Sequence, residues 1–285
     1  MKKQVLALLC PAVLAVSALL ASNTALAQSV AAAPPKTAAQ MDAEQAKRWS
    51  LYWGWNRSTY TSGDIHFKGV DHDFTLKNVA AADMQTDATM ANVAAIYLRP
   101  SEITIPQTNL RLAYQLNSDT AIALNLDHMK YVMNQNQTVD ITGQIKGVAQ
   151  SGRQVLSEDW LAFEHTDGLN IVSLEVEKQN RVYWFGERSN AKVFALAGIG
   201  VVMPKSNVTM GMIGQKRNDE FHIAGYSVSV GMGLELDIYK DVFCRTAYKM
   251  GYVDMPDVLT SSRGGDKASH NFSYSELLIA VGMRF

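Results

Sequence analysis

The closing stretch, Asn271 to Phe285, constrains this chain more than any other. Ser273, Ser275, Leu277, Ile279, Val281, Met283 and Phe285 fall on one face of an extended strand, and Phe272, Tyr274, Glu276, Leu278, Ala280, Gly282 and Arg284 on the other. The first row ends in unbroken apolar residues. The second mixes small residues with the charges of Glu276 and Arg284. A period-2 segment of this length is long enough to cross a bilayer as a tilted strand, and it stops on a terminal aromatic.

The other end of the chain bears on the compartment. Lys2 and Lys3 precede an apolar run from Val5 to Leu20, and Ala25-Leu26-Ala27 is a small-x-small cleavage site, so residues 1–27 are expected to be a secretory signal peptide. Cys10 is not read as a lipoprotein cysteine, because the large Leu9 precedes it and the apolar stretch before it is short. No uncharged apolar run long enough for a membrane-spanning helix follows Ala27. Loss of Lys2 and Lys3 takes the formal charge from −1 to −3, which gives no electrostatic case for a nucleic-acid partner. Cys244 is then the single cysteine, so no internal disulfide can form and stability must come from strand pairing and packing.

Together, the closing strand, its terminal Phe285 and the export signal resemble the small Gram-negative outer-membrane β-barrels. The resemblance covers most of the mature chain in architecture and carries no motif of one functional family. It implies an outer-membrane location, contact with outer-membrane lipids and lipopolysaccharide, and recognition of Phe285 by the barrel assembly machinery.

The rest of the chain supplies the other strands. Residues 28–48 are Ala-rich with Pro34-Pro35 and read as a flexible periplasmic arm, with a short helix allowed over Met41 to Lys47. The barrel is expected over 49–285. Trp49, Leu51, Trp53 and Trp55 line one face of a first strand, where a Trp row suits lipid and its headgroup interface. Further alternating segments run over Asn109–Leu116, Thr120–Met133, Leu169–Asn180, Ala191–Met203, Phe221–Ile238 and Val242–Tyr252. The Ala191–Met203 faces cannot be assigned, because both rows are apolar or glycine. The expected fold is an all-β, transmembrane, antiparallel up-and-down barrel of eight strands. Ten or twelve remain open if the two longest excursions hide further spanning hairpins. Short polar turns fall at the end that holds both termini, and long loops at the other. In the first loop, 64–69 and 73–78 alternate and are expected to pair as a hairpin above the membrane.

The inward rows carry Arg111, Arg245, Lys249 and Arg284 against Glu175, Glu177, Glu235, Asp237 and Glu276, with Asp127 beside them. Both signs in an eight-stranded lumen point to ion pairs and a filled interior, in preference to a small charge-selective pore. All six histidines, His66, His72, His128, His165, His222 and His270, fall at the extracellular end of this topology. The plain reading is a rim set, since a membrane excludes histidine from lipid-facing positions.

Three functional readings stand beside it. One is a divalent metal site drawing on Asp64, His66, His165 and Asp167; no other cofactor is expected. A second is hydrolysis of an outer-leaflet lipid by rim residues among His128, His165, His222, His270, Asp127 and Glu164. Here His270, Ser273 and Glu276 are similar in position to the catalytic residues of the lipid A 3-O-deacylase family. That family carries His-x-Ser on one strand face, whereas the spacing here is His-x-x-Ser, which turns Ser273 to lipid while His270 and Glu276 point inward. The third is a surface for an unidentified partner built on Tyr60, Phe67, Phe74, Trp160 and Phe163, unless these rings pack the loop hairpins together. A structural or surface-interaction role is therefore expected ahead of an enzyme or a narrow channel.

Overall fold

The computed structural model describes residues 47–83, 107–182 and 191–285. The expected signal peptide, nearly all of the expected arm, residues 84–106 of the expected first loop and residues 183–190 lie outside them. The described chain forms fourteen β-strands in one sheet. They are β1 (Trp49–Tyr60), β2 (Gly63–Lys68), β3 (His72–Val79), β4 (Ala81–Ala82), β5 (Thr108–Gln115), β6 (Thr120–Met133), β7 (Thr138–Ile145), β8 (Val148–Val155), β9 (Leu161–Val182), β10 (Ala191–Met210), β11 (Gln215–Phe221), β12 (Gly225–Tyr239), β13 (Val242–Leu259) and β14 (Lys267–Arg284).

Eight of them, in the order β1-β5-β6-β9-β10-β12-β13-β14, make a ring that closes where β14 pairs antiparallel with β1, from Ser50↔Arg284 to Tyr60↔Tyr274. Trp49 and Phe285 exchange backbone hydrogen bonds at the seam, so both ends of the ring lie at one rim. The ring has eight members, and among the described residues the longest excursions add no spanning pair. Leu51, Leu112, Leu124, Leu174, Ile199, Leu234, Met250 and Leu277, one from each wall strand, are exposed on its outside. An apolar belt that circles every wall strand is what lipid covers, and ring closure leaves no unpaired edge in the hydrocarbon. The fold is a transmembrane eight-stranded antiparallel barrel.

Several strands run well past this belt, and there the pattern inverts. Along β14, Leu277, Ile279, Val281 and Met283 point out, yet higher up it is Ala268, Phe272 and Tyr274 that are apolar, and they point in and are buried. On β13 the outward Tyr248 and Met250 give way to inward Val253 and Met255. On β6 the outward Ile122 and Leu124 give way to inward Met129, Tyr131 and Met133. The pleat keeps its parity while the solvent changes. Lipid draws apolar side chains outward, and water above it drives them into a core. Each inversion marks the membrane surface on its strand.

Among the described residues, the long loops expected from the sequence are therefore mostly strand. Leu161–Gly168 is the upper part of β9. Pro204–Met210 extends β10, and β11 folds back on it from Lys205↔Phe221 to Met210↔Gln215. The hairpin expected in the first loop is present as β2–β3. It leaves the wall at β14, pairs through His270↔Ile65, and continues through β3 into the β7–β8 hairpin. This sheet bends over the barrel mouth. Ile65, Phe67, Phe74 and Leu76 meet Leu161, Phe163, Val208 and Met210 in one apolar core. Phe67 lies across Phe74 (centroids 5.1 Å apart) and edge-on to Phe163 (5.4 Å). The rings considered as a partner surface thus close the mouth: Phe67, Phe74 and Phe163 are fully buried, and Tyr60 and Trp160 pack partly buried against the same core.

Candidate functional site

Two buried polar features stand out, the charged lumen and a histidine pair in the cap. Strand register builds the first. Cross-strand neighbours place Glu235 opposite Arg245, Lys192 opposite Glu235, and Lys249 opposite Glu276, all on inward rows. Arg111 Nε donates to Glu175 Oε2 at 2.8 Å, and its Nη2 lies 2.9 Å from Glu177 Oε2. Arg245 reaches across the lumen to Glu177, and its Nη1 donates to Glu235 Oε2 at 3.1 Å. Its guanidinium carbon sits 3.4 Å from the Phe194 ring centroid. That contact explains an apolar ring on a charged wall, since a flat ring face covers a planar cation that water no longer solvates. Lys249 Nζ lies 2.8 Å from Asp127 Oδ2 and 3.0 Å from Glu175 Oε1. At the lower rim Arg284 pairs with Glu235, and with Asp237 at 2.7 Å. Arg111, Asp127, Glu175, Glu177, Glu235, Arg245, Lys249 and Glu276 are buried, whereas Asp237 and Arg284 are partly exposed at the rim. Lys192, 3.2 Å from Glu235 Oε1, is an addition that sequence reading missed because the two faces of its strand look alike.

The structure brings few of the rim candidates together. Asp127 is committed to Lys249 inside the lumen. His128 lies on the opposite side of β6, its Nδ1 2.8 Å from Asn170 Oδ1. His222 pairs with Asp257 at 3.2 Å, and Glu164 accepts from Asn207 Nδ2 at 2.9 Å. Of the residues considered for a metal, Asp64 is held by Lys77 (2.7 Å) and the Asn78 N–H (3.0 Å). His66 is held by Asp73 (2.8 Å), and Asp167 by Lys205 (3.3 Å) and Arg217 (3.5 Å). Among the described residues no three or more His, Cys, Asp or Glu side chains gather as metal ligands. Ser273 is exposed on the outer face while His270 is buried, as strand parity requires.

His165 and His270 do converge. Their Nε2 atoms are 3.2 Å apart with stacked rings, and His165 Nδ1 lies 2.9 Å from Ser206 Oγ. One proton fits between the two Nε2 atoms, so one imidazole donates and the other accepts. Tyr131, Phe163 and Phe272 enclose the pair with apolar ring surface. Burial pushes His270 down to about 3. It also pushes His165 well below its ordinary value, with His270 adding to the effect. The pair is therefore neutral at physiological pH and acts as a polar tie between β9 and β14 within the cap.

No protein-family model and no curated protein matches the chain. Solved structures do, at low similarity. One is Neisserial surface protein A, at 13% identity over 83% of this chain and 97% of that one, with a TM-score of 0.36. Another is Ail, the attachment invasion locus protein of Yersinia pestis, at 12% identity over 84% and 99%, TM-score 0.34. A third is the outer membrane protein OprG from Pseudomonas aeruginosa, at 11% identity over 84% and 96%, TM-score 0.37.

Proposed function

We propose that the protein is an exported outer-membrane barrel of a Gram-negative bacterium whose working part is the rigid cap it holds above the lipid. The carrying observation is the apolar core that fills the outer mouth, where a solute channel would need an opening. The ion-paired lumen beneath it supports the same reading. Exposed surface is concentrated on the β7–β8 hairpin, whose outer strand β8 is the free end of the sheet. In this reading the signal peptide delivers the chain to the periplasm, and the assembly machinery recognises Phe285 at the periplasmic rim. Outer-membrane phospholipid and lipopolysaccharide surround the belt, and a surface partner meets the β7–β8 end of the cap.

An epitope inserted at the Lys146-Gly147 turn tests this placement. Antibody should label intact cells at that turn, while the same epitope at the Lys240-Asp241 turn should be reached only after permeabilisation. The reverse pattern, or recovery of the protein as a soluble periplasmic monomer, would refute the reading.

A further inference from the structure

We infer that the lumen binds one alkali-metal cation at Glu276, between the ion-paired layer and the apolar cap. Lys249 is the cation nearest that carboxylate, but it is already engaged. Its Nζ lies 2.8 Å from Asp127 and 3.0 Å from Glu175, yet 3.9 Å from Glu276 Oε2. The other Asp127 oxygen accepts from Asn109, and the other Glu175 oxygen from Arg111. Glu276 is only 1% exposed, and beyond the neighbouring Asn56 side chain its carboxylate oxygens have no hydrogen-bond partner. The count of charges agrees with the geometry. Among the described residues, the fully buried lumen holds four cations (Arg111, Lys192, Arg245 and Lys249) against five carboxylates (Asp127, Glu175, Glu177, Glu235 and Glu276). Arg284 and Asp237 pair with each other at the rim.

A second set of groups points to the same place. Ser58, 4% exposed, lies directly across the strand pair from Glu276 with an unpartnered Oγ, and Asn56, next along that inward row, has an unpartnered Oδ1. From the facing wall Asn125, fully buried, has both amide atoms unpartnered, and the hydroxyl of Ser173 is unpartnered too. Buried oxygens of this kind are rarely left unsatisfied. A carboxylate, an amide carbonyl and hydroxyls are hard donors suited to an alkali or alkaline-earth ion. The single excess charge and the ammonium of Lys249 nearby favour a monovalent ion over a divalent one.

The test uses the purified full-length protein folded in detergent at neutral pH and fixed ionic strength, with sodium, potassium or N-methylglucammonium chloride as the salt. Wild type should resist urea more in sodium or potassium. With the ion tenfold above its Kd, the unfolding constant falls about elevenfold relative to the organic cation. Glu276→Gln, checked for folding by heat-modifiable migration, should abolish the difference. Thallium-soaked crystals of wild type should show an anomalous peak beside the Glu276 carboxylate, which keeps the test alive if the variant does not fold. Equal stability of wild type in all three salts, an unchanged ion dependence in Glu276→Gln, or no thallium at Glu276 would each overturn the proposal.

Discussion

Arg245 is 2% exposed and is shared between Glu177 and Glu235 while its face lies on Phe194. Arg245→Met would leave both carboxylates short of a buried counter-charge, and we expect a loss of about 3 kcal/mol, read as a lower urea midpoint in detergent. Adding Glu177→Gln should recover part of that loss, because the more deeply buried of the two uncompensated carboxylates is then neutral. The histidine pair carries a pH prediction. Burial holds the folded His270 at about 3 against an ordinary 6.5, so protons favour the unfolded cap. The stabilisation is complete above 6.5 and is lost as pH falls toward about 3. Hydrogen exchange of β2 and β14 above residue 274 should therefore quicken as pH is lowered from 6.5, after correction for intrinsic rates. A His165→Gln/His270→Gln variant should lose most of that dependence. At the residue scale the sequence was informative wherever one row was polar. Arg111, Glu235 and Glu276 were placed by parity alone. Lys192 and Phe194 were not, because Val193, Ala195 and Ala197 beside them are as apolar as the row that faces the lumen.

Among the elements, β9 and β14 show why the lower wall was easier to read than the cap. β9 alternates at both ends of its 22 residues, but Leu161, Phe163 and Leu169 point into the core, and Leu174 and Val176 point out to lipid. Read for lipid-facing residues alone, the upper part has the wrong face apolar and passes for a loop. The β2–β3 hairpin was legible because its alternation is local. Its destination was not, since Phe67 meets Phe163 only through contacts distant in sequence. The convergence of His165 and His270 was hidden for the same reason. Because the cap has its own core, damage to it should stay local. Phe67→Ala should cost about 3–5 kcal/mol of cap stability. Limited proteolysis should then cut β2–β3 or β7–β8 sooner, while heat-modifiable migration of the barrel persists. Simultaneous loss of both would show that cap and barrel unfold as one unit.

On the scale of the whole molecule, two solvents divide one continuous sheet. Below the inversion the wall turns apolar side chains to lipid and encloses ion pairs. Above it the same strands enclose an apolar core and expose polar faces. An eight-stranded ring has room mainly for side chains, and here those side chains include Arg245 and Lys249 in the lumen and Phe67, Phe163 and Met255 above them. Among the described residues both layers are filled with buried side chains, so in the proposed reading the barrel acts as an anchor for its cap. The most direct test is conductance of the purified protein in planar bilayers. Insertion confirmed by proteoliposome flotation should be accompanied by no stable single-channel steps in wild type. Reproducible open-channel steps, altered in size by Glu235→Gln or Arg245→Met, would contradict the account.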